Sequence, residues 1–105
     1  MPNPIREAVR ELFSGTPLQS EMLRTVALLR DIAREADSDE EIVELVESIC
    51  KSIIPALQVH GKKVTLEDCV ERLADACIQE RSYFFMEVAK HAVRRKLRSK
   101  RFHQI

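Results

Sequence analysis

Apolar residues recur at three- and four-residue spacing along almost the whole chain, and the interruptions fall where helix caps and stops are written. Ile5, Ala8, Val9, Leu12 and Phe13 make one face of a first helix. Asn3 is placed to cap it, and Pro4 sits at the opening position, where a missing N–H removes no helical bond. Ser14-Gly15 ends that stretch. Thr16 followed three residues later by Gln19 has capping-box spacing and predicts the start of a second helix. Leu18, Met22, Leu23, Val26, Leu28, Leu29, Ile32 and Ala33 cover more than half of this cylinder, which predicts two helical neighbours and a central position. Ser38 and Glu41 form a second box ahead of a third helix carrying Ile42, Val43, Val46, Ile49, Cys50, Ile53, Ile54 and Leu57, which Pro55 is expected to kink or break. Gly61 stops it. Thr65 with Asp68 opens a fourth helix whose stripe runs Leu66, Val70, Leu73, Cys77, Phe84, Val88 and Ala92, in a pattern that continues to about Arg101. A helix that long is expected either to bend near Gln79–Ser82 or to project from the bundle.

This pattern predicts an all-α fold: one domain over residues 1–105, a bundle of four to five helices, with helices two and three at its centre and a long basic C-terminal helix. Residues 90–105 are expected to project or to be partly disordered. Two glycines in 105 residues leave no material for a phosphate-cradling loop, which excludes an α/β nucleotide-binding fold. The uncharged stretches fall well short of a membrane span, and the first residues lack the cationic start and apolar core of a secretion signal. Cys50, Cys69 and Cys77 are odd in number and have no Cys-x-x-Cys spacing, which argues against a disulfide framework or a four-cysteine zinc site. An intracellular, cytoplasmic setting follows as the expectation.

Overall neutrality conceals a polar distribution of charge. Residues 1–80 carry a net charge of −7 and residues 81–105 a net charge of +7. Lys90, Arg94, Arg95, Lys96, Arg98, Lys100 and Arg101 fall within 12 residues that contain no acid. Such density is an electrostatic footprint for phosphates, so these seven are the candidate nucleic-acid-binding residues. Arg94, Arg98 and Arg101 share a helical face while Arg95 lies about 100° away, a distribution suited to tracking a backbone rather than reading bases. Conversely, Glu35, Asp37, Asp39, Glu40, Glu41, Glu44 and Glu47 place seven acids within 13 residues. Capping and a solvated face account for this run locally, yet it also offers the basic end a complement within the chain or across a dimer. Phe84, Val88, Val93 and Leu97 add apolar anchors amid the cations, as in helices that dock into grooves or onto anionic membranes, although the first two continue the core stripe.

Catalytic chemistry finds little support. Ser82 beside Tyr83, and Cys69 or Cys77 with His91, are the nearest approaches to a nucleophile with a base, and neither has an oxyanion site. Glu87 and His91 stand four apart without further ligands, His60 adjoins a helix end, and His103 is near the terminus, so no metal or other cofactor is expected. Arg81 interrupts the apolar stripe of the fourth helix, where it either snorkels to solvent or pairs with an acid from another helix. The segment His60–Val70 resembles the junction after the central helix of histone-fold domains, over about a tenth of the chain. That resemblance implies phosphate contacts for Lys62 and Lys63. Pro55 and the length of the following helix depart from the family's pattern, and the bundle remains the expected fold. The expected function is a small non-catalytic accessory protein that contacts nucleic-acid phosphates through its basic C-terminal helix. The alternative is an interaction or assembly module, a homo-oligomer or adaptor, that uses its acidic and basic helix surfaces.

Overall fold

Four helices and no strands make up the described residues of the computed structural model, which covers the backbone of residues 3–103 and the side chains of residues 3–90 and 92. They are α1 (Pro4–Phe13), α2 (Gln19–Glu35), α3 (Asp39–Val59) and α4 (Leu66–His103).

Local chemistry sets most of the boundaries. The Asn3 side chain accepts from the Arg6 N–H at 3.1 Å with Pro4 in the first helical position, as its sequence predicts. Ser38 Oγ accepts from the Glu41 N–H at 3.1 Å, while the Glu41 carboxylate accepts from the Asp37 N–H at 3.1 Å, so two otherwise unpaired donors are satisfied across the start of α3. Thr65 caps α4 by accepting from the Asp68 N–H at 3.2 Å. At the end of α3 the Lys62 N–H bonds the Leu57 carbonyl and the Gly61 N–H bonds that of Gln58, with Gly61 at φ +83°, a left-handed closure that a side chain would strain.

Two local expectations are corrected. Thr16 does not cap α2: its hydroxyl donates to the Phe13 carbonyl at 2.7 Å and accepts from the Leu18 N–H at 3.4 Å, and Leu18 itself stands at the N-cap without a side-chain bond. The threonine closes the preceding turn instead. Pro55 does not break α3, which runs on to Val59. Lying one turn from the helix end, on the exposed side, it forfeits one hydrogen bond in a helix otherwise held by packing. Of the two outcomes expected for so long a helix, a bend near Gln79–Ser82 or projection from the bundle, α4 shows no break at Gln79–Ser82 and is continuous through it.

α1 and α3 run antiparallel to the first half of α4, and α2 runs parallel to it. Glu11 meets Arg72 at 3.2 Å, the Cys77 thiol donates to the Leu29 carbonyl at 3.6 Å, and the Arg34 guanidinium lies over the Phe84 ring. The first half of α4 touches all three other helices, and so does α2. The centre of the bundle is therefore α2 with α4 rather than α2 with α3. Buried Cys69, Leu73, Ala74, Ala76 and Cys77 show why: small residues let α4 approach its neighbours on several sides at once. The core comprises these residues with Ile5, Val9, Leu12 and Phe13 of α1, Val26, Leu29 and Ala33 of α2, and Ile42, Val46, Cys50 and Leu57 of α3. Lys62 joins two turns at one end of the bundle, its Nζ lying 3.0 Å from the Ser14 carbonyl oxygen and 3.2 Å from Ser14 Oγ. Among the described residues no helix is long and apolar enough to cross a membrane.

Candidate interaction surface

The side chains of α4 change character where its neighbours end. Up to Cys77 one face of the helix, Cys69, Leu73, Ala74, Ala76 and Cys77, is buried in the core, and Glu80 and Phe84 still face α2 through Arg30 and Arg34. Beyond that point Tyr83, Phe84, Phe85, Met86 and Val88 are 39–52% exposed. At 100° per residue, Tyr83 to Met86 point to all sides of the helix. They form an apolar collar around α4, immediately before the segment that begins with Lys90. This corrects the expectation that Phe84 and Val88 belong to the core. The stripe continues in sequence, but α2 ends at Glu35, about one residue past its contact with Phe84, and leaves no helix to cover the stripe.

The collar has internal order. Phe84 and Phe85 pack edge-to-face at 5.8 Å between ring centroids. The Arg81 guanidinium sits 5.2 Å from the Phe85 ring and that of Arg34 sits 5.8 Å from Phe84, so each cation covers one aromatic face. Among the described residues Arg81 thus neither snorkels freely nor pairs with an acid, and its Nη1 is buried without a hydrogen-bond partner. Beside the collar, Asn3, Arg30, Arg34, Glu80, Tyr83 and Phe84 line a cleft of about 280 Å³. Arg30 Nε stands 3.8 Å from the Glu80 carboxylate, too far for a hydrogen bond. Two arginines balanced by Glu80 and nearby Glu87 leave this corner without net charge.

Of the seven cations singled out in the sequence, Lys90 is exposed and its Nζ lies 3.6 Å from Glu87, one turn earlier. Arg94, Arg95, Lys96, Arg98, Lys100 and Arg101, together with His91 and His103, fall outside the residues whose side chains are described. Lys62, to which the local resemblance assigned a phosphate contact, is engaged with Ser14. The acidic run is dispersed by its own folding: Glu41 serves the start of α3, and Glu47 pairs with Lys51 at 3.3 Å, while Asp39, Glu40 and Glu44 remain exposed.

The cysteines are packing residues. All three are buried and unbridged. Hydrogen bonding to Cys69 and burial hold the Cys50 thiol above its ordinary range, and burial followed by the nearby Glu80 carboxylate raises that of Cys77 from 9.0 to about 12. Such thiols are poor nucleophiles at neutral pH. The raised values have a thermodynamic sign. Above pH 9.0 the unfolded chain sheds the Cys77 proton that the folded chain keeps, so the contribution of Cys77 to folding stability is constant below that value and is lost as pH rises toward about 12. Thermal melts across this interval test it; a Cys77→Ala variant should show a shallower decline, and an identical decline would assign the effect elsewhere.

No protein family, characterised protein or solved structure that was compared matches the chain. The functional reading therefore rests on the surface itself.

Proposed function

We propose that this protein is a small non-catalytic assembly module that associates through α4, with a second copy of itself as the first partner. The observation that carries this reading is the apolar collar. A helix that is apolar all round and stands at the edge of its own bundle keeps large side chains in water unless another surface covers them. Its aromatic and methionine content is that of interface cores, and the cation-rich segment that follows supplies orientation and salt sensitivity. Three buried, unbridged cysteines suit a reducing compartment, which supports a cytoplasmic setting.

Sedimentation equilibrium tests the reading. The wild-type chain should sediment well above its 12.1 kDa monomer mass at micromolar concentration, and a Phe85→Glu, Met86→Glu double variant should return to 12.1 kDa with unchanged helicity, since both side chains are about half exposed. A wild-type chain that stays monomeric would overturn the reading.

A second reading rests on the seven cations between Lys90 and Arg101, a density suited to nucleic-acid phosphates with little sequence discrimination. Aromatic rings for stacking single-stranded bases are few near this end, which favours contact with the phosphate backbone.

A further inference from the structure

α3 and α4 leave a groove of about 430 Å³ along the outside of the bundle. Its floor is apolar: Val43, Val70, Ala74 and Ile78. Its rim is acidic: Glu47, Glu67, Glu71 and Asp75. Glu67, Glu71 and Asp75 follow one another at successive turns of α4, and among the described residues none of the three enters an ion pair. An apolar channel edged by one sign of charge calls for a helix with an apolar stripe flanked by the other sign.

The chain contains such a segment. On α4, Val88 and Ala92 repeat the azimuth of Val70 and Ala74, and Lys96 and Lys100 fall within about 20° of those of Glu71 and Asp75, so the same face of the helix carries an apolar stripe edged by cations. The lengths also agree. Leu66 to Ile78 spans about 18 Å of helix, and Ala89 to His103 spans about 21 Å. The segment cannot fold back into the groove of its own chain, because α4 runs continuously through the collar and away from it. A second copy can present it.

We propose that this groove receives α4 of a second copy, reciprocally, in an antiparallel two-fold dimer crossing at the collar. This inference rests on the assembly reading above and specifies the receiving surface. A crossing centred between Phe85 and Met86 buries collar against collar. This register places Lys96 level with Asp75 and Lys100 level with Glu71, so the basic segment of each copy runs along the acidic rim of the other. Lys90 falls opposite Arg81, beside Glu80 and Glu87. Two identical grooves are filled by one symmetric event, which leaves no open end for further addition.

Two charge-reversed chains test the assignment by sedimentation equilibrium at moderate salt. The first carries Glu71→Lys and Asp75→Lys; the second carries Lys96→Glu and Lys100→Glu. Glu71 and Asp75 are exposed, and circular dichroism of each chain should match wild type. Each variant alone should dimerise at least tenfold more weakly. Mixed in equal amounts they should form a heterodimer within about threefold of wild-type affinity, because each then meets its opposite charge at both grooves. Reversal of Glu40 and Glu44, acids on α3 outside the groove, should leave the dimer unchanged. If the collar variant dissociates the wild-type dimer but the mixture fails to recover, assembly stands and the groove is not its seat. Equal sensitivity at Glu40 and Glu44 would likewise place the basic segment on the acidic run and overturn the groove. A monomeric wild type would remove both readings.

Discussion

Leu29→Asp is expected to abolish the cooperative thermal transition. Leu29 is fully buried between α4 and the other helices, and its carbonyl accepts the Cys77 thiol from the heart of α4. A carboxylate at that point has no cation within the core to pair with, and its burial costs several kcal/mol, comparable with the roughly 5–15 kcal/mol that holds a domain of this kind together. Circular dichroism should show most of the helical signal gone at room temperature. Leu29→Ala supplies the graded control: loss of the side chain and the cavity left behind cost about 2–5 kcal/mol, which should lower the melting temperature by roughly 10 °C or more without unfolding the chain at rest. A soluble Leu29→Asp chain with wild-type helicity and melting behaviour would mean that the α2–α4 contact is not the core of the bundle.

The second large effect concerns phosphates. Replacing Arg94, Arg95 and Arg98 together with Ala should remove salt-sensitive binding to polynucleotides while helicity stays unchanged. The physical measure is the slope of log affinity against log salt, about −0.9 for each duplex phosphate neutralised, so the loss of three contacts flattens it by roughly 3. Fluorescence anisotropy of labelled duplex and single-stranded oligonucleotides across a salt series reads this directly. A slope that does not change on substitution would show that these arginines do not meet phosphates. Where wild type shows no affinity even at low salt, the second reading falls and the assembly reading alone remains.

The helical architecture was legible because caps act locally. Asn3 with Pro4, Ser38 with Glu41, and Thr65 with Asp68 each satisfy backbone donors within four residues, so the sequence contains both partners of every bond. Thr16 shows the limit of the same logic. Its spacing to Gln19 fits a cap, but the hydroxyl also has a partner in the preceding turn, the Phe13 carbonyl to which it donates, and a pattern of spacings does not rank the two. Pro55 shows another: one lost hydrogen bond near a helix end is small beside the burial of Ile42, Val46, Cys50 and Leu57 on the same helix.

The collar was hidden for a different reason. Periodicity identifies which residues share a face, not how far the neighbouring helix extends, and Phe84 and Val88 continue a stripe whose cover stops at the end of α2. A signal was nevertheless present. Tyr83, Phe84, Phe85 and Met86 are four consecutive large apolar residues, and no single neighbour can cover all sides of a helix. The central place of α4 was equally obscured, since its buried positions are filled by Cys69, Ala74, Ala76 and Cys77, small side chains that score weakly as core but permit close approach. The six cations after Lys90 were apparent as a density of charge; the groove that complements them depends on α3 and α4 lying side by side, a relation between distant segments that no local pattern encodes.

The placement of α4 at the centre also bears on the order in which the molecule is made. The helices that it joins are synthesised before it, and Glu11 must wait for Arg72, 61 positions later, while Leu29 waits for Cys77, 48 positions later. Until that stretch leaves the ribosome, the apolar faces of α1, α2 and α3 have no common partner. Folding thus waits for the first half of α4 to be made, and it is slower than the local character of helices alone suggests, because its decisive contacts join residues far apart along the chain.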